Sequence, residues 1–236
     1  MQEKRTKLPA RHELKYFINP AELGVLRERL KPVMQLDKHC KDGKPYIIRS
    51  LYFDDINDRA YYDKQSGVMH RDKYRIRIYG LSDKEIFLER KRKLGDLIQK
   101  SSVRITKRLC EQIISGDPRG LQTSKEPLLQ DMYVEMRLNL LRPAVIVDYM
   151  REAYLHPAEN VRITFDMKLR SGLHSVDLFN KNLPTVCPLD ENVEILEVKF
   201  DTYLPDHIRH LMSGLEMDRS AVSKYVLCRR FEPLNM

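Results

Sequence analysis

Residues 71–93, RDKYRIRIYGLSDKEIFLERKRK, gather side chains whose types and spacing could do chemistry. Arg75 and Arg77 stand two apart, and Glu89, Lys91 and Lys93 repeat that spacing on the return run. In extended backbone, residues two apart share a face. Lys73, Arg75, Arg77 and Tyr79 therefore oppose Tyr74, Ile76 and Ile78, while Phe87, Glu89, Lys91 and Lys93 oppose Ile86 and Leu88. A polar turn at Gly80, Ser82 and Asp83 joins the runs into a β-hairpin. Guanidinium forks match phosphate oxygens in pairs, and ammonium groups add compact charges, so this face has the chemistry of a polyanion site. A half-solvated antiparallel sheet alternates in the same way, so the hairpin alone leaves both readings open.

The elements around it repeat the pattern. Residues 11–18 set Arg11, Glu13 and Lys15 against His12, Leu14 and Tyr16, a first strand with a charged face. Asn19, Pro20 and Glu22 open a helix that runs to about Pro32 with the stripe Leu23, Leu26 and Leu30. A strand at 46–54 ends in Asp54 and Asp55, which cap a short helix at 57–65. Another strand at 97–107 places Lys100, Ser102, Arg104 and Thr106 on one face, and helices follow at 107–115 and 126–141. The next strand, 143–154, aligns Val145, Val147, Tyr149 and Arg151. Residues 161–169 align Arg162, Thr164 and Asp166, and 193–200 align Ile195, Glu197 and Lys199. A weaker strand reads at 172–179, and helices at 205–213 and 220–231 close the chain. Arg229 and Arg230 there read as complements to the helix dipole.

About eight such strands in one open sheet would leave long edges, which closure into a barrel removes. The expected fold is α+β: an eight-stranded antiparallel β-barrel with helices packed outside and a C-terminal helix closing the tunnel. Residues 1–10 read as a flexible segment and 11–236 as a single domain. An interior of arginine and lysine is costly when empty, because like charges repel and lose hydration. It makes sense when a polyanion and a metal ion fill it, and deleting one arginine should relieve repulsion.

Composition agrees. The net charge of +8 and the pI near 9.2 point to polyanionic partners such as nucleic acid, nucleotides, polyphosphate or anionic membrane. The basic residues are interleaved with Asp and Glu along the strands, which excludes a simple basic tail. No strand face offers aromatic platforms for stacking bases, which argues against a nucleic-acid binder. The cysteines Cys40, Cys110, Cys187 and Cys228 lie far apart, and the seven histidines form no ligand-like cluster. No run reaches the ~18 apolar residues of a membrane span, and the first ten residues lack a signal-peptide core, so a cytoplasmic protein is expected.

The pieces ELKYF at 13–17, SLYFD at 50–54, RIRIYG at 75–80, LERKRK at 88–93, YMREAY at 149–154, VRITFD at 161–166, EVKF at 197–200 and SKY at 223–225 together resemble the VTC domain. That family is the polyphosphate-polymerase branch of the triphosphate tunnel metalloenzymes, with a CYTH-like fold. The resemblance spans about Arg11 to Phe231. It implies phosphate binding by Lys15, Arg75, Arg77, Lys91, Arg151 and Arg162, with Tyr149 facing the phosphates and Ser223 and Lys224 reaching in from the last helix. Lys100 or Arg104 would add a further basic contact, and Glu197 would hold Mn²⁺ or Mg²⁺. Arg75, Arg77, Lys91 and Lys224 would serve phosphoryl transfer from ATP to a growing polyphosphate chain. Hydrolase and cyclase branches open on an ExExK strand, whereas here the three positions are Arg11, Glu13 and Lys15, which favours the polymerase branch. The alternatives are a tripolyphosphatase or nucleoside triphosphatase, and a non-catalytic polyphosphate- or nucleotide-binding module. The membrane and regulatory segments that accompany the domain in eukaryotic vacuolar complexes are not expected in this chain, and the resemblance leaves room for an unidentified protein partner.

Overall fold

The computed structural model describes residues 10–230, so 1–9 of the expected flexible start and the final residue of the last predicted helix, Phe231, lie outside the described residues, while Ala10 already belongs to the first strand. In chain order the strands are β1 (Ala10–Ile18), β2 (Gln35–Leu36), β3 (Tyr46–Asp54), β4 (His70–Tyr79), β5 (Ile86–Leu94), β6 (Leu97–Ile105), β7 (Arg142–His156), β8 (Val161–Ser171), β9 (Glu194–Phe200) and β10 (Asp218–Arg219). The helices are α1 (Pro20–Leu30), α2 (Arg59–Gln65), α3 (Lys107–Ile114), α4 (Arg119–Gln122), α5 (Pro127–Leu138), α6 (Asp206–Leu211) and α7 (Lys224–Arg229). Local chemistry explains their ends. Asn19 and Glu22 close a reciprocal capping box at the start of α1. The Thr106 side chain caps α3, and Gly116 at φ 80° lies just past its end. Asp54 and Asp55 together accept the amides of Asn57, Arg59, Ala60 and Tyr61, as their position before α2 predicts.

Eight strands close into an antiparallel barrel in the order β1-β6-β5-β4-β3-β7-β8-β9, with β9 pairing back onto β1. The β1–β6 seam is short, with Ala10 opposite Gln99 and Arg11 opposite Ile98. Further along that edge β10 takes over, pairing Arg219 with Tyr16 and Asp218 with Phe17, and Ser220 donates its amide to the Lys15 carbonyl. The C-terminal segment thus fills the wall where β6 leaves β1.

The alternating strands bury their apolar faces outward, under helices. Ile76, Ile78 and Leu88 pack with Met132 and Met136 of α5, and Ile163, Phe165 and Val198 pack with Leu26 and Leu30 of α1 and Ile208 of α6. A third cluster joins Ile48, Val145, Val147 and Ile195 to Tyr225, Val226 and Leu227 of α7. Those strand residues lie on the inward face, so α7 plugs one end of the barrel.

The predicted strand at 172–179 is not formed. Gly172 packs so tightly on β7 that a Cβ there would lie 2.9 Å from the Ile146 side chain, and Leu173 at φ 50° turns the chain off the sheet. The segment is stapled instead by buried Arg49, which pairs with Asp148 at 2.7 Å and donates to the carbonyls of Leu178 and Asn180.

Candidate functional site

Inside the barrel is a cavity of about 1040 Å³. Because alternate residues of every wall strand face inward, it gathers Lys15, Arg75, Arg77, Lys91, Lys100, Tyr149, Arg151, Arg162, Glu197, Ser223 and Lys224, all singled out in the sequence. Arg104 is not among the lining residues. It shares the face of Lys100, but sits further along β6, exposed, donating to the Lys84 carbonyl at 2.6 Å.

Register sets which charges meet, of opposite sign at most positions and of like sign where Lys73 faces Lys91. Arg75 lies opposite Glu89 and Lys73 opposite Lys91 in the hairpin, while Lys15 lies opposite Glu197 and Glu13 opposite Lys199 across β1 and β9. Glu89 accepts from Arg75 at 2.7 Å and Lys100 at 2.5 Å, with Arg77 at 3.8 Å. Glu13 holds Lys91 at 2.5 Å, and Asp166 takes a two-pronged contact from Arg151 at 2.6 and 2.7 Å. Glu197 accepts from Lys199 and Lys224, both at 2.7 Å. Tyr149 ties the groups together: its hydroxyl accepts from Arg77 at 2.9 Å, and Arg151 and Lys224 each lie 5.2 Å from its ring centroid.

The cage therefore contains more acid than the sequence reading placed in the site, which named only Glu197. Glu13, Glu89 and Asp166 join it, and alternation with their basic neighbours was the available signal. Lys73 and Lys199 were likewise legible on the inward faces. The expectation that deleting an arginine relieves repulsion fails for Arg75. Burial opposes its charge, yet Tyr52 and Glu89 outweigh burial and raise its proton affinity well above the ordinary value. Arg77 and Arg151 are raised in the same way, with Glu89 and Asp166 among the groups that overcome burial.

The lysines behave differently. Among the described residues Lys73 has no carboxylate against it; its ammonium donates to the Ser223 hydroxyl at 2.9 Å and lies 5.1 Å from the Tyr225 ring centroid. Burial, with Lys15, Arg71 and Lys91 nearby, pushes its proton affinity well down. Burial first, then Lys15 and Lys199, bring Lys91 down to about 7 despite its Glu13 partner, and burial with Arg75 and Arg77 brings Lys100 to about 8. Glu197 moves the other way: burial would raise it, but Lys199, Lys224 and Lys15 hold it well below the usual carboxylate range. Arg162 pairs with Asp37 at 2.8 Å, and its buried Nε has no hydrogen-bond partner among the described residues.

Lys224 opens α7, a six-residue helix whose every side chain is buried. Long-range contacts anchor the helix. Tyr225 donates to Asp54, Arg229 pairs with Asp58 at 2.6 Å, and Ser171 donates to the Cys228 carbonyl at 3.0 Å. Arg229 is thus a buried ion-pair partner rather than only the dipole complement expected from its place.

Among the described residues no three His, Cys, Asp or Glu side chains gather as a metal cluster. The donor set nonetheless fits a hard divalent cation of the kind that triphosphate tunnel enzymes depend on. Glu197 and Glu13 sit on adjacent strands and already share two positive groups, Lys15 at 3.6 and 3.7 Å and Lys199 at 2.7 and 3.5 Å. Magnesium-like ions take one or two carboxylates and complete their shell with phosphate oxygens and water.

A closed eight-stranded antiparallel barrel with helices outside and a basic, acid-braced interior is the triphosphate tunnel fold. Within that class the chain belongs to the VTC domain family, whose model matches residues 10–231. Among solved structures it is similar to a Hippeastrum protein described as an adenylyl cyclase candidate with a dominant triphosphatase activity, at 14% identity and a TM-score of 0.55 over 95% of this chain and 97% of that one. A Pyrococcus horikoshii protein matches at 17% identity and 0.47 over 92% and 97% of the two chains. A Bacillus halodurans protein described as an adenylate cyclase candidate matches at 14% and 0.45 over 86% of each. At 14% identity the likeness to the Hippeastrum protein is one of fold. No helix among the described residues is long and apolar enough to cross a membrane.

Proposed function

We propose that this protein is a metal-dependent polyphosphate polymerase that moves the γ-phosphate of ATP onto the end of a polyphosphate chain inside the barrel. The observation that carries this reading is the composition of the wall around Glu13 and Glu197. Each carboxylate is engaged by lysines, and Arg11 stands where a tunnel hydrolase has its first glutamate. That wall favours holding two polyanions together over activating water between metal-bound carboxylates.

In the reaction a terminal oxygen of the chain attacks the γ-phosphorus, the bond to the bridging oxygen breaks, and ADP leaves with that electron pair. Such transfer needs alignment and charge neutralisation more than covalent chemistry from the protein. Arg75, Arg77 and Arg151 are held charged and oriented by Glu89 and Asp166, so they bind donor phosphates without reorganising. Lys15, Lys91, Lys100 and Arg162 extend that grip along the wall. Lys224, fixed beside Tyr149 and braced by Glu197 and Asp166, neutralises the phosphoryl group in transit, and Ser223 donates to it. Mn²⁺ or Mg²⁺ held through Glu197, with Glu13 beside it, would add charge neutralisation on the phosphate oxygens.

The test is incubation with ATP and Mn²⁺ and separate measurement of polyphosphate, ADP and free phosphate. ADP with chains of increasing length is the expected result. ADP with an equal amount of free phosphate would replace the polymerase with a hydrolase. Tight binding without either product would make the domain a sensor or a partner-dependent subunit. Glu197→Gln should remove turnover while nucleotide still binds to the arginines.

A further inference from the structure

Along β4 the inward side chains run Tyr79, Arg77, Arg75, Lys73 and Arg71, spaced about 6.6 Å apart by strand geometry. The wall therefore grades from aromatic at one mouth to basic at the other. At the aromatic mouth Tyr79, the last residue of β4, meets Tyr46, the first of β3, with ring centroids 6.3 Å apart. His39 lies beside both, 5.5 Å from Tyr46 and stacked on Tyr79 at 5.8 Å with planes 17° apart. Phe87 backs Tyr79 edge-on at 6.2 Å. Both tyrosine rings line the cavity and stay half-buried, and His39 is exposed.

This cluster adjoins the phosphate-binding groups directly. Tyr46 lies opposite Arg151 in the β3–β7 ladder and accepts from Arg162 at 3.4 Å. Tyr52 and Tyr225, nearer the basic end, cannot serve the same purpose. They are buried, with hydroxyls engaged by Arg75 and Asp54.

We propose that the Tyr46–Tyr79–His39 mouth is a nucleoside subsite: the base of a purine nucleoside triphosphate stacks there, and its phosphates run inward over Arg162, Arg151 and Arg77. The proposal rests on triphosphate binding in the tunnel, as the polymerase reading does. It adds the direction in which the donor lies. The rings offer π-faces but no paired donor–acceptor edge, so the subsite discriminates by stacking area, purine over pyrimidine, and adenine little from guanine.

Calorimetric titrations of the wild type with ATP, GTP, CTP and inorganic tripolyphosphate, at one salt concentration, test this without any variant. ATP and GTP should bind more tightly than CTP, and all three more tightly than expected from phosphate charge alone. Replacing the ring, Tyr79→Leu, should weaken ATP on the order of tenfold, the scale of one base–aromatic stack, and leave tripolyphosphate unchanged. Tyr79→Phe, which keeps the ring, should restore ATP affinity. Equal wild-type affinity for ATP, CTP and tripolyphosphate overturns the subsite while leaving the tunnel reading intact, as does equal loss of ATP and tripolyphosphate in Tyr79→Leu. Failure of the wild type to bind tripolyphosphate at all overturns the tunnel reading itself.

Discussion

Arginine and lysine divide the work inside the barrel. The arginines have carboxylate partners in fixed register and are stabilised by them, whereas Lys73 is buried against a hydroxyl and a ring and is not. Removing one partner of a buried pair leaves the other charge uncompensated. Arg75→Ala should therefore destabilise the empty protein by ~3 kcal/mol in denaturant unfolding, as is typical of broken buried pairs, and also abolish triphosphate binding. Lys73→Met should do the reverse to stability, raising the melting temperature of the empty protein while weakening tripolyphosphate binding. A melting temperature that falls in both variants would show that Lys73 is structurally compensated after all. Lys91 supplies a pH dependence. Its proton affinity in the folded state, about 7, lies below the ordinary 10.5, so below about pH 7 the half-buried ammonium opposes folding in full. Between about 7 and 10.5 that opposition fades, and the empty protein gains this increment of stability as pH rises. Binding has the opposite sign, because a polyanion favours the ammonium. Tripolyphosphate binding at pH 8 should take up a proton, and affinity should fall as pH rises above about 7. Calorimetry in buffers of different ionisation enthalpy counts that proton, and Lys91→Arg, always charged, should abolish the Lys91 share of it.

At the scale of the element, α7 is the piece the site depends on most. Six residues make a helix with little stability of its own, so its position comes from tertiary anchors. Tyr225 to Asp54 and Arg229 to Asp58 fix the turn that carries Ser223 and Lys224. Tyr225→Phe deletes one anchor and keeps the ring. It should cost about 1 kcal/mol of stability, the net worth of one hydrogen bond. Turnover should fall about tenfold or more, since small displacements of a positioning group are costly in rate. Unchanged turnover with the same loss of stability would reduce the contact to a structural one. Most wall strands were legible in the chain because period-2 alternation survives wherever one face meets helices and the other meets charge. The hairpin at residues 71–93 fell where alternation put it, and strand β3 fell on the run read at 46–54. Three things were not legible. The segment at 172–179 alternates like a strand, but close packing of Gly172 on Ile146 turns it away. The anchors of α7 join residues 171 positions apart, beyond the reach of any local pattern. The aromatic mouth escaped notice because Tyr46, Tyr79 and His39 come from two strand ends and a loop, so no single strand face displays a platform.

For the whole molecule, closure solves two problems at once. It removes the edges of a long sheet, and it gives the charged faces a shared interior where acid and base can be interleaved. The interleaving is incomplete. The chain carries a formal +8, and Lys73, Lys91 and Lys100 all have depressed proton affinities in the empty cavity. Residual positive potential is what a polyanion relieves, so ligand and fold should be linked by mass action. Tripolyphosphate at a hundred times its dissociation constant should add ~2.7 kcal/mol to stability. For a domain of this size, that corresponds to a rise in melting temperature of roughly 5–10 °C. The attraction is partly screened Coulomb energy, so the affinity, and with it the rise at fixed ligand concentration, should shrink between 50 and 500 mM salt, as the screening length falls from roughly 14 to 4 Å. Orthophosphate at equal charge concentration should give much less, because it cannot span the row from Arg77 through Arg75 to Lys73, about 13 Å of strand β4. A scanning-calorimetry series with both anions at both salt concentrations checks this. Equal shifts from the two anions would mean that the interior senses charge alone, and that its spacing along the strands carries no preference for a chain of phosphates.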